Sequence, residues 1–250
     1  MSARGERTRF RVVTWNVGRL YSPTHNNRLD DADVPRVARV LDELDPDVAL
    51  LQELVDVRQL DEIVTRLSRT RAPMAGAMAE RCAYDRRAAV IVRHERTPAF
   101  EERSLGASNR NAVVASFDAG GGRRAAAISA HLDVFGPERR AEQAAELARL
   151  AEGRDEHVVV AGGDFNLDPA WAAGTANARD VETFTRLTRT FADAGREAGA
   201  TLIGLWRVDH LLVRGAQRWL ARVSPRRLPL GDHHPLVLDV DLDPDVASTV

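Results

Sequence analysis

The order of apolar and polar residues along the chain predicts strands that alternate with amphipathic helices. Apolar runs rich in β-branched residues are typical of buried strands, and they lie at residues 10–17, 48–52, 88–92, 111–117, 124–132, 158–160, 207–213, 218–224 and 235–241. Apolar residues spaced three and four positions apart predict helices, which cover residues 34–44, 60–67, 137–152 and 180–189. Asp33 can cap the first of these helices, with Pro35 in its first turn.

This succession of elements predicts the fold class. The glycine-rich residues 119–122 fall between two strand-like segments and favour a hairpin. Many strands joined by hairpins and a few helices indicate an α/β (α+β) fold, in which two sheets pack together and helices cover their outer faces. A chain of 250 residues is long enough for one such domain. We expect this domain at residues 10–241, between a flexible N-terminus at 1–9 and a C-terminal tail at 242–250.

Composition and charge narrow the range of functions. The hydrophobic content of 44% and the charged content of 29% are typical of a globular protein. The formal net charge of -2 provides no overall attraction to nucleic acid or anionic lipid, and leaves room only for a local basic cleft. Cys82 is the only cysteine, which excludes an intrachain disulfide and a cysteine-built metal site. No stretch of about 18 apolar residues occurs, so we expect no transmembrane segment and a cytoplasmic protein.

The apolar strands repeatedly end in a polar or acidic residue. Such residues end, interrupt or precede strands at Asn16, Glu53, His131, Asp133, Asp164, Asn166, Asp209, Asp232 and His233. Strand ends that gather at one rim of a sandwich bring distant residues into a shared cleft. Carboxylates, amides and imidazoles collected in this way form an oxygen-rich site suited to Mg²⁺, Mn²⁺ or Ca²⁺.

Each of these residues also has a purely structural interpretation. Asp164 and Asn166 alone are typical of an Asx turn. Glu53 alone fits a solvated acid, and His131 alone fits a half-buried histidine with satisfied hydrogen bonds. Asp209 is harder to explain in this way, because an unpaired Asp inside an apolar strand costs several kcal/mol. The repetition of oxygen ligands at strand ends therefore favours a functional site.

The motifs that carry these residues resemble the endonuclease/exonuclease/phosphatase superfamily. In the order of that superfamily they are TWNV (14–17), DPDVALLQE (45–53), SNRNAVVASF (108–117), SAHLD (129–133), GGDFNLDP (162–169), RVDHLLV (207–213) and GDHHPLV (231–237). The resemblance covers about residues 10 to 241. It implies a four-layer α-β-β-α sandwich of two mixed β-sheets flanked by helices, and a metal-dependent phosphoesterase.

The resemblance also implies a role for each site residue. Asp164 would activate the attacking water, with Asn166 positioning the water and the phosphate. His233, held by Asp209, would act on the phosphoryl group, and His131 would contact the scissile phosphate or the leaving group.

The remaining implied roles concern the metal and the substrate. Glu53 would hold a divalent cation, Mg²⁺ or alternatively Mn²⁺ or Ca²⁺, with Asn16 beside it and Asp232 nearby. Arg110 lies in a segment similar to one that supplies a phosphate-contacting arginine; the alternative is an ordinary surface residue.

The chemistry of these groups favours direct hydrolysis. A hard cation and an imidazolium can stabilise the charge of the transition state, and the sequence shows no GxSxG elbow for a covalent intermediate. We predict an endonuclease-like phosphodiesterase acting on nucleic acid, with a small-molecule or lipid phosphoester as the alternative substrate and a non-catalytic scaffold as a less favoured one. The sequence indicates no protein partner. His234 departs from the usual closing motif and has no assigned role, and His210 is interpreted as a packed strand residue.

Overall fold

Two six-stranded sheets make up the centre of the molecule. The computed structural model describes residues 9–19, 28–70, 72–80, 82, 86–106, 110–170, 178–229 and 231–242. The first sheet contains β1 (Arg9–Asn16), β2 (Val48–Leu54), β3 (Met74–Met78), β4 (Arg87–Arg93), β11 (Arg218–Val223) and β12 (Leu236–Asp241). The second contains β5 (Ala99–Ser104), β6 (Asn111–Gly120), β7 (Arg123–His131), β8 (Val158–Asp164), β9 (Ala192–Asp193) and β10 (Asp209–Arg214).

Helices cover both outer faces of the paired sheets. They are α1 (Val34–Leu44), α2 (Val57–Thr70), α3 (Pro137–Glu152) and α4 (Ala178–Thr190). The first two pack on the first sheet around Val13, Trp15, Leu41 and Ile63. The other two pack on the second sheet around Ile128, Leu147 and Leu187. The predicted four-layer sandwich is confirmed.

A third apolar core lies between the two sheets. It includes Phe10, Val12, Leu50, Phe117 and Leu211. Successive residues of a strand point to opposite faces of its sheet, so Val12 packs into this inner core and Val13 packs under the helices. Burial on both faces explains why the strands are continuous apolar runs without polar alternation.

Both sheets are mixed, with one parallel pair each among the described strands. The first sheet has the order β11-β12-β1-β2-β4-β3, and its parallel pair is β1–β2. The second has the order β5-β6-β7-β8-β10-β9, and its parallel pair is β7–β8. Parallel neighbours need a crossover connection, which α1 supplies in the first sheet and α3 in the second. The carboxyl ends of both parallel pairs carry candidate site residues.

The prediction that Asp33 caps α1 is wrong. Its backbone is helical (φ -91°, ψ -16°) and its side chain makes no capping hydrogen bond. The buried carboxylate accepts hydrogen bonds from the guanidinium groups of Arg19 and Arg36 instead. Asp30 caps the preceding 3-10 turn by accepting from the backbone N–H of Ala32. Charge-assisted bonds to two arginines are stronger than a single bond to a backbone amide.

Three strands at or near sheet edges were not predicted from the sequence. The strand β3 contains no β-branched residue, and β5 carries three charged side chains and is half-exposed. The strand β9 has only two residues. Each of these strands hydrogen-bonds to a single neighbouring strand. Its residues need no apolar pattern on two faces, so the sequence pattern that would predict a strand is weak.

The domain limits expected from the sequence, residues 10–241, stay a prediction. Strand β1 already begins at Arg9, and Leu242, which follows β12, is buried at 8% exposure. Residues 1–8 and 243–250, which cover most of the predicted tails, lie outside the described residues. Within the described ranges, none of the helices combines the length and the apolar character that crossing a membrane requires.

Candidate active site

Four strand termini meet at one rim of the sandwich. Asn16, His131 and Asp164 are the last residues of β1, β7 and β8. In the register of the second sheet, Asp164 pairs with His131 on one side and with Asp209 on the other. Asp209 does not interrupt a strand, as the sequence indicated, but begins β10. Because β10 runs antiparallel to β8, its first residue shares the rim with the last residue of β8.

Glu53 reaches the same rim from a distorted part of β2. The strand continues to Leu54, so the prediction that it ends at Glu53 is wrong. Glu53 has a left-handed φ of 67°, and the pairing with β4 shifts register between Leu51 and Leu54. A bulge of this kind re-aims a side chain, and a non-glycine residue with positive φ costs about 1–3 kcal/mol. This strain turns the Glu53 carboxylate into the cleft.

The carboxylate of Glu53 is buried at 7% exposure and has two nitrogen partners. Asn16 Nδ2 lies 3.2 Å and Arg86 Nη1 lies 3.1 Å from its Oε1. A Cβ atom at Gly18 would come within 2.2 Å of Oε2, so a larger residue there would displace this carboxylate from its position. Burial raises the pKa of Glu53, which the positive charge of Arg86 opposes. Sequence reasoning missed Arg86, which belongs to no motif and lies directly before β4.

Asn16 links the two sheets at the rim. Its Nδ2 also donates to Asp164 Oδ2 at 3.0 Å, and its Oδ1 accepts from the Gly18 backbone N–H at 2.9 Å. The amide nitrogen therefore lies between the carboxylates of Glu53 and Asp164. A buried polar network continues beneath it, which the sequence analysis did not identify, although polar residues inside apolar strands were a visible signal. Its members are Thr14, Gln52 and Ser129.

A glycine allows the buried strand β8 to end directly in Asp164. Gly163 has φ 148°, and a Cβ atom there would lie 1.7 Å from the carbonyl oxygen of Ala130 on β7. Asn166 has a left-handed φ of 50°, and its backbone N–H donates to Asp164 Oδ1 at 2.9 Å. Its side-chain Nδ2 donates to the carbonyl oxygen of Leu132 at 3.0 Å. The Asx turn and the candidate site are thus the same structure.

His233 forms a charged pair with Asp209. Its Nδ1 lies 2.7 Å from Asp209 Oδ2, and its Nε2 points towards Asp164 Oδ2 at 3.7 Å. The indole N–H of Trp15 holds the loop by donating to the carbonyl oxygen of His233 at 3.2 Å. Burial alone would lower the pKa of His233, but Asp209 and Asp164 outweigh it and raise the pKa to about 10. The imidazole is therefore a cation and a hydrogen-bond donor at neutral pH.

His131 has the opposite protonation state. Its Nδ1 lies 3.1 Å from Arg110 Nη1, and since a guanidinium has no acceptor, Nδ1 must accept. The hydrogen is then on Nε2, which lies 3.5 Å from Asp164 Oδ2 and 4.0 Å from Glu53 Oε1. Burial and the charge of Arg110 lower the pKa of His131 well below its usual value. Arg110 is 3% exposed, so the surface-residue alternative is wrong.

Asp164 lies at the centre of these groups. Burial raises its pKa to about 7, although the positive charge of His233 acts in the opposite direction and Asp209 raises it further. A carboxylate with a pKa near neutrality can both accept and release a proton at physiological pH. Asp232 lies at the outer edge, with its Oδ1 3.9 Å from His233 Nε2.

His210, interpreted as a packed strand residue, and His234, which had no assigned role, lie outside this cluster. His210 is the second residue of β10 and is fully buried, with its Nε2 2.8 Å from the carbonyl oxygen of Leu167. The backbone N–H of His234 donates to the carbonyl oxygen of Thr201, and its ring bonds the carbonyl oxygen of Ser224. His234 therefore shapes the loop that carries His233.

The residues present fit a divalent cation. The Oδ1 atom of Asp209 is buried with no hydrogen-bond partner within the described part of the chain, and Asp232 further raises the pKa of buried Glu53. A cation would offset this crowding of negative charge. Ligand atoms of Asp164, Asp209 and His233 lie within 4.8 Å of one another. However, a protonated imidazole cannot bind a metal, so Glu53 and Asp232 are the better candidate ligands.

Comparison with known proteins identifies the class of molecule. The profile of the Endonuclease/Exonuclease/phosphatase family matches residues 13–233. The chain therefore belongs to this family, as the motifs in the sequence predicted, and members of the family are in general hydrolytic phosphoesterases. None of the curated proteins compared with the chain matches it in sequence.

Solved structures with the same fold confirm the architecture. The endonuclease/exonuclease/phosphatase from Bacteroides vulgatus superimposes with a TM-score of 0.75 at 20% identity, covering 95% of this chain and 100% of that one. Truncated Caenorhabditis elegans TDP2 gives 0.71 at 18% identity, covering 93% and 98%. The endonuclease/exonuclease/phosphatase from Beutenbergia cavernae DSM 12333 gives 0.75 at 19% identity, covering 94% and 72%. At these identities the likeness establishes the fold alone.

Proposed function

We propose that the protein hydrolyses phosphodiester bonds, with a divalent cation, by direct in-line attack of water. One observation carries this proposal: a carboxylate with a pKa near 7, Asp164, lies beside a cationic histidine, His233, and a neutral histidine, His131. A base and two hydrogen-bond donors in opposite protonation states are what hydrolysis of an anionic ester requires.

Asp164, Asn166 and His233 each have a separate role in the proposed attack of water on the phosphate. The ionised carboxylate of Asp164 accepts a proton from the attacking water, and Asn166 orients the water and the phosphate. His233 donates from Nε2 to a non-bridging oxygen, while its Nδ1 stays bonded to Asp209. We propose direct attack because burial raises the pKa of the Cys82 thiol, which disfavours the thiolate that a covalent step would need.

Two further groups face the phosphate from the β7 side of the cleft. His131 donates from Nε2, because Arg110 occupies its Nδ1. The guanidinium of Arg110 supplies a positive charge for the anionic phosphate oxygens. Both residues are buried, so that their charges and dipoles act without competition from water.

Glu53 would hold the metal, Mg²⁺ or Mn²⁺, with Asp232 at the outer edge of the site. When bound, the cation would neutralise charge on the phosphoryl group and on the leaving oxygen. Asn16 would support this site by orienting Glu53, since its own oxygen already accepts from Gly18.

A nucleic acid strand is the substrate that we propose first, with endonuclease-like cleavage. Besides the cationic His233, the described part of the cleft contains the buried Arg110 and the partly exposed Arg86, and arginine suits phosphate contacts.

A lipid phosphodiester is the second candidate, because exposed apolar side chains flank the site. Phe135 lies four positions after His131 and is 80% exposed, and Leu205 is 68% exposed. Leu205 belongs to the loop in which Leu202 bridges to His233. Apolar side chains at the mouth of a site favour contact with hydrocarbon.

The test is hydrolysis by the purified protein with Mg²⁺ or Mn²⁺, and with EDTA as a control. The substrates are supercoiled plasmid, single-stranded DNA, RNA, bis(p-nitrophenyl) phosphate, a phosphomonoester, sphingomyelin and phosphoinositides. Each assay is repeated with Asp164→Asn and with Asp241→Asn, an acid at the opposite end of the sandwich that pairs with Arg9.

The proposal expects metal-dependent cleavage that Asp164→Asn abolishes and Asp241→Asn retains. Plasmid nicking identifies a nuclease, and cleavage confined to lipid identifies the second candidate. The absence of cleavage for every substrate would contradict hydrolysis and favour the scaffold alternative.

A further inference from the structure

The turn that carries Asn166 is tied to the segment that leads into β10. Three hydrogen bonds connect them: Phe165 N–H to the Val208 carbonyl oxygen at 2.9 Å, Arg207 N–H to Asp168 Oδ2 at 2.8 Å, and His210 Nε2 to the Leu167 carbonyl oxygen at 2.8 Å. The first joins two backbone groups. The second depends on the side chain of Asp168, and the third depends on the side chain of His210.

The hydrogen bonds of His210 define a single tautomer. Arg207 Nη1 lies 3.2 Å from its Nδ1, and since arginine only donates, Nδ1 accepts. The hydrogen is on Nε2, which donates to the carbonyl oxygen of Leu167. Burial first, and then the charge of Arg207, lower the pKa of His210 to about 4. Both nitrogens of the neutral ring are therefore used.

The surroundings of His210 prevent it from turning. Its ring stacks on Phe165 at a centroid distance of 5.4 Å and contacts Phe184 of α4 at 5.1 Å. Arg207 is fixed in turn by two bonds to the carboxylate of Asp193, at 3.0 and 2.9 Å. The ring is thus held by Phe165, by Phe184 of α4 and by Arg207, and Asp193 of the edge strand β9 fixes Arg207.

The carbonyl group that His210 holds belongs to the residue directly after Asn166. Asn166 has a left-handed backbone, and its N–H donates to Asp164 Oδ1. His210 contacts both chain neighbours of Asn166, because its ring stacks on Phe165 and its Nε2 donates to the carbonyl oxygen of Leu167. Loss of the hydrogen bond would free the peptide that follows Leu167 and let the turn around Asn166 shift. The bond from His210 therefore restrains the turn that places the Asn166 amide relative to Asp164.

We propose that His210, oriented by Arg207, is a positioning residue that holds the Asn166 turn in its reactive geometry from behind the sheet. This inference rests on the proposed function, because it assigns Asn166 to the site. Two consecutive residues of β10 would then position site residues from opposite faces of the second sheet. Asp209 orients His233 on the face towards the site, and His210 orients Asn166 on the face that α4 covers.

The test compares two substitutions that separate packing from hydrogen bonding. In His210→Phe the aromatic ring is kept and both hydrogen bonds are lost. In His210→Gln the ring is lost, but an amide can donate to Leu167 and accept from Arg207. The packing control is Leu212→Ala, which truncates a buried residue two positions along on the same face of β10.

We expect His210→Phe to lower kcat by up to about 100-fold with little change in KM, the scale on which a misplacement of about 1 Å acts. His210→Gln should recover a large part of that loss, and Leu212→Ala should keep the wild-type kcat at temperatures where it is folded. The substrate is bis(p-nitrophenyl) phosphate with saturating Mn²⁺. A kcat for His210→Phe equal to that of the wild type, or a His210→Gln variant no better than His210→Phe, would overturn the proposal.

A double-mutant cycle tests whether His210 acts through Asn166. In an Asn166→Ala background, His210→Phe should have little further effect on kcat, because the group that it positions is absent. Full multiplication of the two losses would show that His210 acts on something else and would overturn the proposal.

Hydrogen exchange provides a readout that does not depend on activity. With EDTA present, backbone amides at residues 164–170 should exchange faster in His210→Phe than in the wild type and in His210→Gln. Unchanged exchange in His210→Phe overturns the positioning role. A wild type without activity overturns the proposed function, and the exchange result then still decides whether His210 holds the turn.

If His210→Phe does not fold, Arg207→Lys replaces it. The ammonium of lysine is a compact point charge and lacks the planar fork with which Arg207 bonds both oxygens of Asp193 and His210. Faster exchange at residues 164–170 is expected in this variant as well, and protection equal to that of the wild type would contradict the role of Arg207.

Discussion

Two clusters of acids lie at opposite ends of strand β8 and differ in their electrostatics. Before the strand begins, hydrogen bonds from Arg154 and Ser116 lower the pKa of Glu156 to about 2. Where the strand ends, burial raises the pKa of Asp164 to about 7. Glu156 and Glu101 at the first end both pair with Arg154, whereas the acids at the rim crowd together. The acids paired with a cation stabilise the folded state. The crowded acids at the rim lower the free energy of unfolding, a cost that their function explains.

The largest effect that follows from this contrast concerns the histidine at the rim. His233→Ala should lower kcat by about 10²–10³-fold, because it removes one hydrogen-bond donor to the transition state. Steady-state kinetics with saturating metal measure the loss, and circular dichroism checks the fold. His157→Ala, an exposed histidine at the opposite end of β8, is the matched control and should keep the wild-type rate. A near-normal rate for His233→Ala would contradict its assigned role.

The next effect concerns metal binding. Glu53→Gln should abolish most of the thermal stabilisation that Mg²⁺ gives the wild type, because a ligand that binds only the folded state raises stability by mass action. Excess Mn²⁺ should restore part of the activity. Glu156→Gln, at the opposite end, should keep the full metal response. Equal loss of activity at every metal concentration would rule out Glu53 as a ligand.

A third prediction concerns stability without metal. The folded-state pKa of Asp164 is raised from 3.8 to about 7, so ionising this group increasingly destabilises the fold as pH rises through that window. Asp164→Asn removes the penalty and should raise the free energy of unfolding above pH 7 by about 1–2 kcal/mol. The advantage should vanish below pH 3.8. Thermal unfolding in EDTA between pH 4 and 9 measures it, and a difference that does not depend on pH would refute this explanation.

The smallest effect is expected at the paired end. The pKa of Glu156 is lowered from 4.5 to about 2, so the stability that it contributes is complete above pH 4.5 and is lost as pH falls towards 2. Glu156→Gln should therefore cost about 1 kcal/mol at pH 7 and close to nothing at pH 2, with activity unchanged. Urea unfolding at pH 7 and pH 3 should show the cost fall to roughly half or less. A stability loss of the same size at both values would mean that packing, and not charge, is responsible.

The strand and helix pattern was predictable where local residues decide it. Buried strands such as β2 and β8 have apolar runs long enough to be recognised, and Pro137 correctly predicted the start of α3. The edge strands β3 and β5 were missed because each is stabilised on one side only. The cap on α1 was wrong because Arg19, distant in the local pattern, competes for Asp33.

The identities of the candidate site residues were visible in the sequence, but their arrangement was not. Asp164 and Asn166 stand out as acid and amide after a buried strand. Nothing local indicates that Glu53 occupies a left-handed bulge or that Arg86 pairs with it. Those features arise from strand register and from contacts between the two sheets, which depend on all of the chain between them.

The sequence by itself determined the alternation of strands and helices, the family, and the polar residues that follow apolar runs, because each depends on a local pattern or on a motif. Only the tertiary structure decided which atoms meet. In the folded protein His233 is protonated and His131 is neutral, because the pKa of each histidine depends on burial and on charges that other strands supply. In the sequence pattern His210 is an ordinary buried residue, and only the tertiary structure shows that it donates a hydrogen bond to the carbonyl oxygen of Leu167.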